Sequence, residues 1–252
     1  MIDTHAHLLC FKNVSEIVDS MKDNGLENIV TIGTTAKDSM QSVELAKKYD
    51  NIYVAVGIYP EFAGDTTEKD LEIIKQLAKD EKVVAIGEIG LDYHRDGFDA
   101  ELQKELFVKQ LKIADEAGLP FCIHCREAAE DVFKVLSENK HLINHSGLMH
   151  CYSEGKEWIE KFLSLGLYIS FSGNITFKKS DRSFLKDIPL DKILVETDAP
   201  YLSPEPFRGR ENRPERVNFV AKKIAEELGI DFEEFDKIVS KNAKTFYFKI
   251  KN

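Results

Sequence analysis

Residues 83–125 read VVAIGEIGLDYHRDGFDAELQKELFVKQLKIADEAGLPFCIHC. An apolar, strand-like run, Val83–Glu88, leads into a long amphipathic stretch, Ala100–Ala117, and then a second apolar run, Pro120–His124. Within the middle stretch apolar residues recur at three- and four-residue spacing, the period of a helix with one buried face. Two short strands joined by such a helix form a crossover unit, and the strands it joins run parallel.

The same alternation runs the length of the chain. Further strand-like runs are Met1–Thr4, Asn28–Ile32, Ile52–Val56, Gly147–His150, Leu167–Ser170 and Lys192–Glu196. Helix-like segments include Asn13–Asn24, Asp38–Lys48, Lys69–Lys79 and Gly155–Ser164, with a weaker one at Phe184–Ile188. Two more, Arg213–Leu228 and Phe232–Phe246, follow the eighth strand. Eight such repeats predict an α/β fold, a TIM-like (β/α)8 barrel; an open doubly wound sheet is the alternative. A length of 252 residues would also hold two small domains. No linker, low-complexity stretch or charge block divides the chain, so residues 1–252 are expected to form one domain.

Composition narrows the function classes. A hydrophobic fraction of 43% with 31% charged residues is that of a soluble globular protein. No apolar run is long enough to span a bilayer, so no membrane partner is expected. The N-terminus lacks the basic and apolar regions of a signal peptide, and a cytoplasmic location follows as the default. In that compartment Cys10, Cys122, Cys125 and Cys151 are expected to be reduced thiols. The lone CxxC at 122–125 lacks the second pair that a structural zinc site would need. A net charge of −10 argues against coating duplex nucleic acid by bulk electrostatics. It leaves room for a nuclease that grips phosphate with metal ions at one pocket.

Residues at the strand ends carry the chemical signal. The first strand runs into His5 and His7, one residue apart and able to face one point. The fourth ends in Glu88, the fifth in His124, the sixth in His150, and the eighth in Glu196 and Asp198. In a (β/α)8 barrel these ends form the active-site face. His5, His7, Glu88, His124, His150 and Asp198 therefore converge on one mouth, and a packing explanation for all of them is strained. Mixed imidazole and carboxylate donors suit Zn, Mn, Fe or Mg rather than a thiolate structural zinc, with Zn, Mg or Mn as the candidates carried forward. Six donors are too many for one catalytic ion with an open position, and suit two divalent ions bridged by a carboxylate and a water. Glu88 is the bridging candidate, and Asp198 the candidate for ligand and proton acceptor from that water. Glu196 is either an orienting partner of an imidazole or structural. His94 either supports the site or faces substrate. His141 and His145 read as surface residues.

Arg208, Arg210, Arg213 and Arg216 crowd the loop after Asp198, and Arg126 follows His124. At the mouth of an acidic protein, arginines suit bidentate phosphate contacts, and Arg126, Arg208 and Arg210 are the substrate-binding candidates. The alternative is a solvated loop paired with Glu205, Glu211 and Glu215. Tyr93, Tyr152 and Phe207 are candidates for stacking on bases, against a plain packing role. Asn174 is placed to face the pocket.

Several stretches together carry a family resemblance: DTHAHL at the start, GEIGLDYH at 87–94, PFCIHCREA at 120–128, MHCYSEG at 149–155, YISFSGNITFKKS at 168–180 and ETDAPYLSPEPFRGRENRP at 196–214. The chain resembles the TatD family of metal-dependent deoxyribonucleases, within the amidohydrolase superfamily, over essentially its whole length. The resemblance implies a TIM-like barrel with a divalent-metal centre. It implies one ion on His5, His7, Glu88 and Asp198 and a second on Glu88, His124 and His150. It implies cleavage of phosphodiester bonds in DNA, typically single strands from the 3′ end. Cys125 stands where relatives commonly have serine, and Pro206-Phe207-Arg208-Gly209-Arg210 where they often read PHRGK; both departures spare the expected ligands. A second enzymatic reading keeps the barrel and ions but takes a small ester, amide or phosphoester. A third is a scaffold that has kept only the fold; the full set of candidate ligands weighs against it.

Overall fold

The computed structural model describes residues 1–94, 97 and 99–251. Its eight strands are β1 (Ile2–Ala6), β2 (Asn28–Ile32), β3 (Ile52–Val56), β4 (Val83–Asp92), β5 (Phe121–Arg126), β6 (Gly147–Met149), β7 (Tyr168–Phe171) and β8 (Ile193–Val195). They lie side by side in chain order, and each pairs in parallel with the next. Helices α1 (Val14–Met21), α2 (Ala36–Ala46), α3 (Glu68–Leu77), α4 (Ala100–Ala117), α5 (Ala129–Glu138) and α6 (Lys156–Ser164) connect them, and α7 (Val217–Leu228) and α8 (Phe232–Phe246) follow β8. Helix α5 adds to the segments that periodicity singled out. Between β7 and β8 the described residues form 3₁₀ turns, at Gly173–Thr176, Ser183–Asp187 and Leu190–Lys192. This is the TIM-like barrel that the alternation predicts, and the open doubly wound sheet is set aside.

Covered on both faces, the strands read as continuous apolar runs rather than alternating ones. One buried set, including Ile29, Val54, Ile86, Phe107, Leu111, Ile169 and Ile224, lies between sheet and helices. A second takes alternate strand residues such as Val30, Val84, Cys122, Leu148 and Leu194, and joins them to Phe246 at the end of α8 and to Tyr247 and Ile250 just after it. The Tyr247 hydroxyl donates to the Thr4 carbonyl and lies 3.2 Å from Cys122 Sγ. All four cysteines are free, as expected, and Cys122 is a buried small hydrophobe.

The seam between β1 and β8 is short, and the chain just beyond β8 completes it. Asp198 N–H donates to the His5 carbonyl at 2.9 Å, and His7 N–H to the Ala199 carbonyl at 2.7 Å. Asp3 accepts from the Thr197 N–H and hydroxyl across the same seam. Closing the barrel therefore brings His5 and His7 against Asp198.

Several strand ends differ from the sequence reading, those of β4 and β1 among them. Strand β4 runs four residues past Glu88 to Asp92, with a register shift against β5 between Ile86 and Ile89. Strand β1 includes His5, and its register against β2 shifts between Asp3 and Ala6. Such irregularities re-aim side chains, commonly beside active sites. Here they fall at Glu88 and His5.

Candidate metal centre

The six strand-end candidates meet at one place on the C-terminal face. His5 Nε2 lies 3.5 Å from Glu88 Oε2 and 3.7 Å from Asp198 Oδ1, and His7 Nε2 lies 3.3 Å from the same Asp198 oxygen. On the other side, Glu88 Oε1 is 2.8 Å from both His124 Nδ1 and His150 Nε2. The two oxygens of Glu88 thus face two different groups of imidazoles. The His5 and His150 rings stack with centroids 4.0 Å apart. Among the described residues, three overlapping sets have ligand atoms within 4.8 Å of one another: His5, His150 and Asp198; His5, His7 and Glu88; Glu88, His124 and His150.

Local backbone explains how each side chain arrives. Glu88, Gly90 and Asp92 share one face of β4 by its period of two. Gly90 has φ +135°, and a Cβ there would stand 2.1 Å from the His124 carbonyl oxygen. Glycine is what lets β4 and β5 approach closely enough for Glu88 and His124 to meet. Asp198 sits in the left-handed region, φ +55°, a conformation aspartate tolerates better than most residues.

An outer ring fixes the imidazoles. His150 Nδ1 faces Glu196 Oε1 at 3.2 Å, leaving Nε2 for the centre. His124 Nε2 lies 2.9 Å from Asp92 Oδ2 and 3.0 Å from the Tyr59 hydroxyl, which donates to the same Asp92 oxygen at 2.5 Å. Carboxylates on the far nitrogen hold a ring's orientation and raise its basicity toward a metal. Glu196 therefore touches an imidazole, one of the two readings its position allowed. Asp92 and Tyr59 were missed. Period two from Glu88 through Gly90 points to Asp92; nothing in the sequence marks Tyr59.

Charge follows from this packing. Burial disfavours ionised Glu88, but His150, His124 and His5 outweigh it and hold the carboxyl well below its usual range. Burial likewise opposes charge on His150, yet Glu88 and Glu196 raise it well above an ordinary imidazole. His124 and His7 are raised in the same way against burial, by Asp92 and Glu88 and by Asp198 respectively. Asp198 is lowered: His7 overcomes its burial. Burial and the neighbouring charge of His150 lower His5. Both ring nitrogens of His5, and Glu196 Oε2, are buried with no hydrogen-bond partner. Buried polar atoms are otherwise paired almost without exception. An imidazole Nε2 without a hydrogen bond, facing the carboxylates of Glu88 and Asp198, fits a divalent cation, whose charge would also relieve the crowding of those two carboxylates.

The remaining candidates spread around this centre. Arg126 ends β5 and is exposed, as are Arg208 and Arg210. Among the described residues none of the three is in an ion pair or hydrogen bond with the six central side chains. Arg208 stacks over Phe177, 3.7 Å from the ring centroid. Arg213 pairs with Glu215 at 2.6 Å, and Arg216 donates to Ser203 while lying over Phe207, so these two hold the loop together. His94 Nδ1 lies 2.6 Å from Glu127 Oε1 at the surface. Tyr152 is buried and Tyr93 donates to Asp131, which are packing roles. Among the described residues an exposed aromatic near the cluster is instead Tyr201, 56% accessible, its ring 5.8 Å from His7.

A parallel eight-stranded barrel with a histidine and carboxylate cluster at its C-terminal mouth defines a metal-dependent hydrolase. The comparisons narrow this class. The model of the family described as TatD related DNase matches residues 2–248. The uncharacterized metal-dependent hydrolase YabD of Bacillus subtilis (strain 168) is 41% identical over 252 residues, covering 98% of each chain. The 3′-5′ ssDNA/RNA exonuclease TatD of Shigella flexneri serotype 5b (strain 8401) is 30% identical over 243 residues, 94% of this chain and 93% of that protein. The crystal structure of YJJV, a TatD homolog from Escherichia coli K12, superposes with a TM-score of 0.91 at 29% identity, covering 98% of this chain and 97% of that one. The chain belongs to the TatD-related DNase family and is a metal-dependent hydrolase acting on ester bonds. Among the described residues no helix is long and apolar enough to cross a membrane.

Proposed function

We propose that the chain is a deoxyribonuclease that removes nucleotides from the 3′ end of single-stranded DNA. The observation that carries this reading is the pairing of two chemistries on one face. A buried cluster of imidazoles and carboxylates stands at the strand ends, and exposed arginines lie at the end of β5 and on the loop after β8, in a chain whose net charge is −10. Small neutral substrates would need no such arginines. The name of the Shigella flexneri relative supports the same direction.

In this reading His5, His7, Glu88 and Asp198 hold one divalent ion, and Glu88, His124 and His150 a second, with Zn, Mg or Mn as the candidate metals. Such ions, when bound, supply Lewis acidity at the phosphorus and a nucleophile at neutral pH. The protein's own groups do the rest. Asp198, kept ionised beside His7, accepts the proton released by the attacking water at its carboxylate. Glu88 offers one oxygen to each side. Asp92 and Glu196 hold the His124 and His150 rings from behind. Arg126, Arg208 and Arg210 donate to backbone phosphates.

The test is a time course on 5′-labelled single-stranded DNA with Mg²⁺ or Mn²⁺, repeated with EDTA. The expected result is a ladder that shortens from the 3′ end and disappears with EDTA. Intact DNA alongside rapid hydrolysis of small esters or amides would replace this reading with a small-molecule hydrolase.

A further inference from the structure

We infer that a basic cleft beside the mouth, built from Lys178, Lys179 and Arg208 around Phe177, binds a backbone phosphate of the single strand away from the scissile bond. The inference rests on the nuclease reading above and extends it to a second region of the surface.

The cleft has a volume of about 330 Å³ and is lined by Phe177, Lys178, Lys179, Ser180, Glu205 and Arg208. Three cations and one carboxylate line it, the opposite balance to the chain as a whole. Lys178, Lys179 and Arg208 are all exposed. Among the described residues no carboxylate lies within ion-pair distance of any of them. Elsewhere on this surface lysines such as Lys47, Lys75, Lys104 and Lys109 are paired with carboxylates. Three unpaired cations held together repel one another, and a phosphate would relieve that repulsion.

The cleft is also built rather than incidental. Arg208 sits over the Phe177 ring, its guanidinium carbon 3.7 Å from the centroid, a cation–π contact that holds the charge at the cleft. Beneath the loop, Arg182 donates to the Ile175 and Phe177 carbonyls at 2.9 Å each, and its Nε pairs with Glu227. The two walls are joined: Glu205 N–H donates to the Thr176 hydroxyl at 2.9 Å. A Cβ at Gly173 would stand 1.7 Å from the Leu202 carbonyl oxygen, so the loops after β7 and β8 touch backbone to backbone. The loop after β8 is the one that carries Asp198. The cleft and Asp198 therefore lie on loops that are joined at the same end of the barrel. A planar guanidinium and two flexible ammonium groups suit phosphate oxygens and carry no base preference.

The experiment uses metal-replete protein and a 5′-fluorescein oligothymidylate of about twelve nucleotides, within the span of such grooves, with phosphorothioate linkages at its 3′ end to resist cleavage. Anisotropy titrations are run from low to moderate salt. Lys178→Ala/Lys179→Ala is expected to bind about tenfold more weakly, as for removal of a charge-assisted hydrogen bond to phosphate. Its plot of log affinity against log salt is expected to flatten by about 0.7 for each phosphate that is no longer neutralised. Lys178→Arg/Lys179→Arg should restore binding. A control with the same change in charge, Lys237→Ala/Lys241→Ala, lies in the separate cleft beside Glu27 and should bind as wild type. Unchanged affinity in the first variant, or an equal loss in the control, would overturn the cleft. Wild-type protein that shortens DNA while the first variant binds normally sinks the cleft alone; wild-type protein that neither binds nor cuts the strand sinks the nuclease reading as well.

Discussion

At the scale of single residues, Glu88 and Asp92 separate two kinds of contribution. Glu88 sits between both groups of imidazoles, so Glu88→Ala is expected to abolish turnover and metal uptake while circular dichroism stays native. Retained activity in that variant would remove Glu88 from the centre. Of the six central side chains Asp92 touches His124, on the nitrogen that faces away from Glu88. Asp92→Asn is expected to weaken metal binding about 10- to 100-fold, the usual cost of losing such a support. Calorimetric metal titration measures it, and raised metal should recover most of the activity. The six central candidates were legible because imidazoles and carboxylates stand out at the ends of apolar runs. Asp92 was hidden because β4 was expected to stop at Glu88, and Tyr59 because a tyrosine after a strand has many ordinary roles. Tyr152 showed the reverse failure: an aromatic beside a candidate ligand turned out to be core.

At the scale of elements, periodicity found the strands and most helices but not the irregularities that aim the site. The fourth and fifth strands could be drawn from their apolar runs, yet the register shift at Ile86–Ile89 has no period to reveal it. Gly90 records that shift in the sequence, since only glycine fits at φ +135° against the His124 carbonyl. Gly90→Ala is expected to cost about 3 kcal/mol or more, from overpacking and backbone strain together. A lowered denaturant midpoint at constant slope would show it; an unchanged midpoint would mean that β4 and β5 can part without loss. Helix α8 gives a milder case. Asp231 caps it, accepting from the Glu233 and Glu234 N–H groups. Asp231→Ala should cost about 1 kcal/mol, and thermal melting of the purified variant measures that loss.

At the scale of the whole molecule, the site and the closure of the barrel depend on the same seam. His5, His7 and Asp198 sit where β1 meets the chain beyond β8, joined by backbone hydrogen bonds rather than a long ladder. A cation held by these residues would link the two ends of the barrel, and would bind the folded chain far better than the unfolded one. One ion at a hundred times its Kd adds about 2.7 kcal/mol, which for a chain of this length raises Tm by roughly 5–10 °C. EDTA-treated protein should melt lower by that amount and regain it on adding metal; coincident melting curves would disconnect the cluster from stability. The pH dependence has a definite sign. Burial opposes charge on His150 and His124, but their carboxylate neighbours raise both above an ordinary imidazole in the metal-free chain. A protonated ring cannot donate its lone pair, so metal binding must release protons at neutral pH. Affinity is therefore expected to fall as pH drops, beginning above the usual imidazole value of about 6.5. Calorimetry in buffers of different ionisation enthalpy counts those protons. Net release near pH 7 is the expected result, and zero release would mean that the carboxylates leave both rings neutral before any ion arrives.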